Sequence, residues 1–243
     1  AEKISKTGTQ PIIGTQINIL SKNQIGKITL YATSEQGYKN LTKLSSKSYL
    51  SNKNFHEPYC EIDDLVSNNE GLILLTGNYK DFFGKLFYAN KIKHLEKIIE
   101  KLKSSFKDRL YIEIQRHGEN QEANYENYLL KLSSLYSLPI IAGQEVYYLD
   151  SSMAEAHDAL ICIGEKQFID DKNRFRYSDQ HYLRKNEELQ KLYKDIPEAL
   201  ENNYNFPLRF NFKPKKSKPI LPSISNNKNI PVEKELMNQA KKG

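Results

Sequence analysis

Apolar and polar positions along the chain alternate between two periods. Ile12, Ile13, Ile17 and Ile19 make Pro11–Leu20 a strand-like run broken at Gly14, and Lys27–Ala32 reads as a second short strand. Ser34 can cap a helix running through Tyr38, Leu41, Leu44 and Ser48. Gly71–Thr76 is an unbroken apolar run, the pattern of a strand buried on both faces. Helices are predicted over Asp81–Ala89 and Lys91–Phe106. In the second, Ile92, Leu95, Ile99, Leu102 and Phe106 form one stripe, and the lysines fall largely outside it. Leu110–Gln115 reads as a strand. Asn120–Tyr136 reads as a helix with Tyr125, Tyr128, Leu129, Leu132 and Leu135 on one side, and Pro139–Ala142 as another buried strand. Met153–Ile163 is an apolar helix followed by a polar loop through Asp170 and Asp171. Glu187–Tyr193 and Pro197–Asn203 close the compact region. Strands separated by helices predict a parallel β/α architecture.

Composition changes after Tyr204. Residues 205–231 hold Pro207, Pro214, Pro219, Pro222 and Pro231 among Lys213, Lys215, Lys216 and Lys218, which predicts an extended linker outside the core. Val232–Lys242 has the pattern of one short helix, and 232–243 would start a further domain. The 243 residues suffice for one large domain or two small ones. No apolar run is long enough to cross a bilayer, and Ala1–Gln10 lacks a secretory apolar stretch. Cys60 and Cys162 form no CxxC motif, which points to a reducing, cytoplasmic compartment. A net charge of +6 permits a polyanionic partner without demanding one. The abundance of Lys, Asn, Ile and Tyr, with no Trp, fits an AT-rich coding sequence, so part of that charge is compositional. A chain that opens on Ala1 reads as a segment of a longer parent.

The residues that might carry chemistry are scattered. His56, His94, His117, His157 and His181 form no HxH or HExxH spacing. His56 and Cys60 lie four apart, half of a metal site at most, and Pro58 opposes the helix that would align them. His94 lies on the lysine-rich helix and reads as solvated. His157 and Asp158 are neighbours on one helix and cannot face each other as a dyad, so a structural histidine is the plainer reading. Arg116 and His117 follow a predicted strand, where sites form in parallel β/α folds; they are local candidates, with loop anchoring an equal alternative. No P-loop, dinucleotide fingerprint or nucleophile elbow is present. Lys213, Lys215, Lys216 and Lys218 could touch phosphate, although a solvated linker is the plainer reading.

Several stretches, in order, resemble the PHP domain of the bacterial DNA polymerase III alpha subunit. They are Pro11–Gly14, Gly37–Leu41 leading to Leu44–Ser46, Glu70–Ile73 and Asp108–Gly118. Leu138–Ala142, Ala156–Leu160, Asp170–Asp171 and Asp195–Leu200 follow. The resemblance spans residues 1–204. It implies an α/β fold, a PHP-type distorted (β/α) barrel of mainly parallel strands with its first strands missing, followed by the linker and the start of the palm domain. Loss of those strands would leave neighbours unpaired and lower the stability of the segment. The parent would be a DNA-directed DNA polymerase using Mg2+, and this segment would lack the polymerase active site. Family metal ligands fall on Gln16, Lys27, Asn78, Glu145 and Tyr147, of which only Glu145 is a good ligand. The resemblance therefore implies a degraded site with no catalytic residue and no resident metal; Zn2+ or Mn2+ would belong to an intact site. Lys27 is expected to replace a metal's charge and pair with Glu145 across the barrel mouth. The implied role is a scaffold that docks the epsilon proofreading subunit, with the rest of the alpha chain and, through the holoenzyme, DNA as partners, and no membrane. The alternative is a metal-dependent PHP phosphoesterase or 3'-5' exonuclease.

Overall fold

The structure, a computed structural model, describes residues 1–50, 57–215, 219 and 231–242. They separate into two units, 1–213 and 214–243. In the first, a short helix α1 (Glu2–Lys6) precedes strands β1 (Ile13–Ser21) and β2 (Gln24–Ala32). Only Lys22 and Asn23 separate the strands, at φ 46° and 63°. Two successive residues with positive φ make a type I′ turn, whose twist suits an antiparallel hairpin. A parallel pair would need a crossover of a dozen residues or more.

Helices α2 (Glu35–Leu50) and α3 (Ile62–Ser67) lead to β3 (Leu72–Leu75). Gly71 turns the chain into that strand at φ +67°, a conformation that favours glycine. Next come α4 (Phe82–Tyr88), α5 (Ile92–Phe106), β4 (Leu110–Gln115), α6 (Glu122–Tyr136) and β5 (Ile140–Gly143). α7 (Ala154–Glu165), α8 (Asn186–Leu192) and α9 (Pro197–Asn205) complete the unit. The strands form one mixed sheet in the order β1-β2-β3-β4-β5. β1, β2 and β3 pair antiparallel, whereas β3, β4 and β5 pair parallel.

This architecture corrects the expected barrel of mainly parallel strands. Among the described residues the sheet is open, and its parallel part is confined to the three strands joined by long helical crossovers. The predicted helices and strands otherwise appear within a few residues of their expected bounds. Leu135 is an exception to the predicted α6 stripe, since it is exposed. α7 is apolar, as expected, yet Leu160 and Ile163 are exposed and Cys162 is its buried residue.

One sheet face carries Ile17, Ile28, Leu30, Leu72, Leu74, Ile112 and Ile140. It packs on apolar stripes that include Leu44, Phe83, Leu95, Ile99, Leu129 and Ala199. The other face carries Ile73, Leu75, Tyr111 and Ile141, covered by Ile12, Tyr31, Phe206 and Phe210. β3 is buried on both sides, which explains its unbroken apolar run.

Phe206 and Phe210 also move the expected start of the linker. Phe210 is buried, and its ring centroid lies 5.0 Å from that of Phe206 and 6.1 Å from that of Tyr31. Gln10 donates to the Phe210 carbonyl at 2.5 Å, and Arg209 donates to Tyr111 Oη at 2.6 Å. The compact packing thus runs past Tyr204, because these aromatics supply the cover that β3 and β4 require. In the second unit, α10 (Val232–Lys242) forms where a helix is predicted. Glu233 and Glu235 in its first turn and Lys241 and Lys242 in its last complement the helix dipole.

Candidate functional site

Alternation along the strands places Lys27, Thr29, Tyr31, Leu75, Tyr111, Glu113 and Gln115 on the second face. The register sets Thr29 opposite both Gln16 and Leu75, and Leu75 beside Tyr111. At the N-terminal ends of the parallel strands this face is apolar. Toward their C-terminal ends it becomes polar, and three carboxylates gather there. Glu113 comes from β4, Asp81 follows β3 and Glu145 follows β5.

Glu113 is buried, and burial pushes its carboxyl up to about 7, with Asp81 and Glu145 adding repulsion. Asp81 rises to about 6, again mainly by burial; Glu145 raises it further, while Lys27 and Lys85 oppose the rise. Amides connect the acids. The Asn78 N–H donates to Asp81 Oδ2 at 2.9 Å, and Asn78 Nδ2 donates to Gln115 Oε1 at 3.2 Å. Gln115 Nε2 then donates to Glu113 Oε1 at 2.8 Å. Asn78 Oδ1 accepts from the Lys80 N–H at 2.8 Å, so both ends of that side chain are used. Gly143 lies against the Glu113 carboxyl, where a side chain would collide.

The expected Lys27–Glu145 ion pair is not formed. Lys27 extends from an exposed position of β2, and both groups act instead on Asp81, with opposite signs. Gln16 is exposed and reaches Thr29 Oγ1 at 3.5 Å. Tyr147 donates to Tyr177 Oη at 3.0 Å; burial and its hydrogen-bond partners Tyr177 and Glu145 keep its phenol protonated. Lys213 and Lys215 are exposed. Lys216, Lys218 and His56 lie outside the described residues.

Two other histidines join this end of the sheet. His117 is buried, and its ring stacks on His181 at 4.0 Å with an interplanar angle of 6°. His117 Nε2 accepts from the Glu145 N–H at 3.2 Å, which assigns the proton to Nδ1, 3.2 Å from Glu122 Oε1. Both ring nitrogens are therefore committed, as loop anchoring requires. His181 donates from Nδ1 to the Glu145 carbonyl at 3.0 Å. Its Nε2 is buried without a hydrogen-bond partner, 3.9 Å from Glu119 Oε1. Burial and His117 hold its pKa below the ordinary range.

Arg116 serves the framework. It donates to Asp195 at 2.7 Å, to Glu126 at 3.0 Å and to the Leu192 carbonyl at 2.5 Å, and it covers the Tyr193 ring at 4.9 Å. His157 stacks on Tyr147 at 5.2 Å, while Asp158 turns to Arg174. That separates the adjacent His and Asp, as helix geometry predicts. Cys60 is buried and gives its thiol hydrogen to the Leu44 carbonyl at 3.3 Å; burial raises its pKa to about 11.

Sequence reasoning missed Asp81, Glu113 and His181. The signal for Glu113 was one carboxylate inside an otherwise apolar strand, a residue type seldom fully buried without a reason. Chemically, burial at this end of the sheet favours the protonated forms of Glu113 and Asp81. Its carboxylates face amides and a lysine, and no described group of three or more His, Cys, Asp or Glu residues is arranged to hold a metal ion.

Residues 1–117 match the PHP domain family. Over 97% of its length the chain is 33% identical to the DNA polymerase III subunit alpha of Caulobacter vibrioides, covering 21% of that protein. Over 98% it is 34% identical to that of Rickettsia bellii, and over 97% it is 32% identical to that of Escherichia coli, covering 20% and 21% of those proteins. The chain thus spans about a fifth of the length of these curated relatives. Among the described residues no helix is long and apolar enough to cross a membrane. The motifs, the C-terminal strand ends and these similarities converge: this chain carries a PHP domain related to that of the DNA polymerase III alpha subunits.

Proposed function

We propose that this PHP domain acts as a cytoplasmic scaffold within a DNA polymerase III alpha subunit, docking the epsilon proofreading subunit and supporting the rest of the alpha chain. The parent would be the DNA-directed DNA polymerase, with DNA engaged by the holoenzyme. The observation that carries this reading is the use of Asn78 and Gln115 as hydrogen-bond bridges between Asp81 and Glu113. Asn78, on which the resemblance puts a ligand position, is committed together with Gln115 to hydrogen bonds inside the domain. Titrating the full chain with the epsilon subunit of the same organism, followed by calorimetry, tests the proposal. Saturable binding is expected; its absence overturns the docking role.

A second reading, a metal-dependent phosphoesterase or 3'-5' exonuclease, draws on the convergence of Asp81, Glu113 and Glu145. Mn2+-dependent hydrolysis of a nitrophenyl phosphodiester that disappears in Glu145→Ala would favour it over the scaffold.

A further inference from the structure

A second charged region lies where the β1–β2 turn meets the start of α5. Lys22, Lys91, Lys93, His94 and Lys97 line an open hollow of about 540 Å³ that no carboxylate enters. An adjoining hollow of about 500 Å³ shares Lys22, His94 and Lys97, and continues along α5 to Lys101. Glu61 and Asp63 line only this second hollow, where Asp63 pairs with Lys101. Among the described residues, Lys22, Lys91, Lys93 and Lys97 form no ion pair with a carboxylate.

This charge is placed against ordinary preference. Helix starts favour acidic residues, yet the first turn of α5 has none, and its N-cap is Lys91 with no side-chain cap. The arrangement is also held in place. The Lys91 ammonium donates to the Lys22 carbonyl at 3.2 Å, pinning the hairpin turn beside the helix. His94 Nε2 lies 2.9 Å from Ser21 Oγ, tying α5 to the end of β1. Besides burial, Lys22, Lys91 and Lys97 keep His94 below its ordinary pKa, the response of an imidazole in an uncompensated positive field.

We propose that this lysine-lined groove binds the phosphate backbone of double-stranded nucleic acid. Two joined hollows along a helix suit a line of phosphates better than one small anion. No Phe, Tyr or Trp lines either hollow, and the one ring there, His94, is tied to Ser21, so the groove lacks the row of stacking platforms that single strands use. The contacts carry no sequence information and bind through charge. This surface is separate from the carboxylate group and does not depend on the docking role proposed above.

The test is fluorescence anisotropy of the full chain with a labelled duplex across a salt series. Each phosphate-contacting lysine removed should reduce the slope of log affinity against log salt by about 1, so Lys22→Ala/Lys93→Ala/Lys97→Ala should lose about 3. The single variant Lys97→Ala should lose about 1 and guards against misfolding of the triple variant. Variants of Lys213, Lys215, Lys216 and Lys218 to Ala should retain the groove's share of the slope. Duplex should raise the His94 pKa in an NMR titration of the unmodified chain. Four outcomes overturn the proposal: no binding at low salt, an unchanged slope in the triple variant, tighter binding of a single strand, or displacement by inorganic phosphate beyond that by chloride of equal ionic strength.

Discussion

Along β3, Leu72 and Leu74 meet the helices, while Ile73 and Leu75 meet Tyr111, Ile141 and Phe210. The first face stays apolar along the sheet and is sealed by several helices. The second is apolar at one end, where Phe206 and Phe210 cover it, and carries Lys27, Glu113 and Gln115 toward the other. The first face gains stability mainly by removing apolar surface from water. The second combines that gain with a buried carboxyl, which costs free energy when ionised. One sheet thus separates stability from titratable groups by face and by end, so a polar substitution at one place leaves the core at the other intact.

The sharpest way to break this comparison is to cut matching holes in the two faces. Leu74→Ala on the helix face should destabilise by about 3 kcal/mol, within the usual range for a fully buried leucine. Phe210→Ala should cost about 2 kcal/mol, below the usual phenylalanine loss, because a short terminal segment can open locally. Urea unfolding of both variants checks the order; a larger loss in Phe210→Ala would make the second face the main source of stability.

The next effect is a pH dependence confined to the carboxylate end. The Glu113 pKa is about 7 in the folded protein and 4.5 as an ordinary glutamate. The folded state therefore binds more protons than the unfolded state between these values. Stability should fall as pH rises from 4.5 through 7, and the cost is fully present above 7. A shift of this size corresponds to about 3 kcal/mol, shared with the coupled Asp81. Glu113→Gln keeps the shape and removes the charge. It should be more stable than the parent at pH 8 and about equal at pH 4, judged by the difference in unfolding free energy. His181 and His94, both shifted down, act in the opposite direction in the parent and the variant alike.

The smallest effect concerns Lys27. Its ammonium lowers the Asp81 pKa, so Lys27→Gln should raise that pKa further, by well under one unit for an exposed lysine. Carbon NMR of the Asp81 carboxyl reads the shift directly. An unchanged value would remove Lys27 from this end of the sheet electrostatically.

Most of the secondary structure was legible in the sequence because local patterns determine it. The buried run of β3, the stripe of α5 and the alternation of β4 each arise from which side chains must leave water. The antiparallel start of the sheet was less visible. The strands of Pro11–Leu20 and Lys27–Ala32 are plain, but their pairing depends on two residues at positive φ that make the connection too short for a crossover. The carboxylate group was harder still. Asp81, Glu113 and Glu145 are far apart in sequence, and no spacing rule joins three separate strand ends. The resemblance pointed to Glu145 and Lys27, and it suggested a pair between them that the fold does not make.

The sequence by itself determined the helices and the strands, since these are matters of local pattern. Tertiary structure alone decided that Phe210 belongs to the core, that Asn78 and Gln115 bridge Asp81 and the buried Glu113, and that Lys22 joins the α5 lysines. The physical reason is that burial, pKa and charge balance depend on neighbours in space, and folding chooses those neighbours from distant parts of the chain.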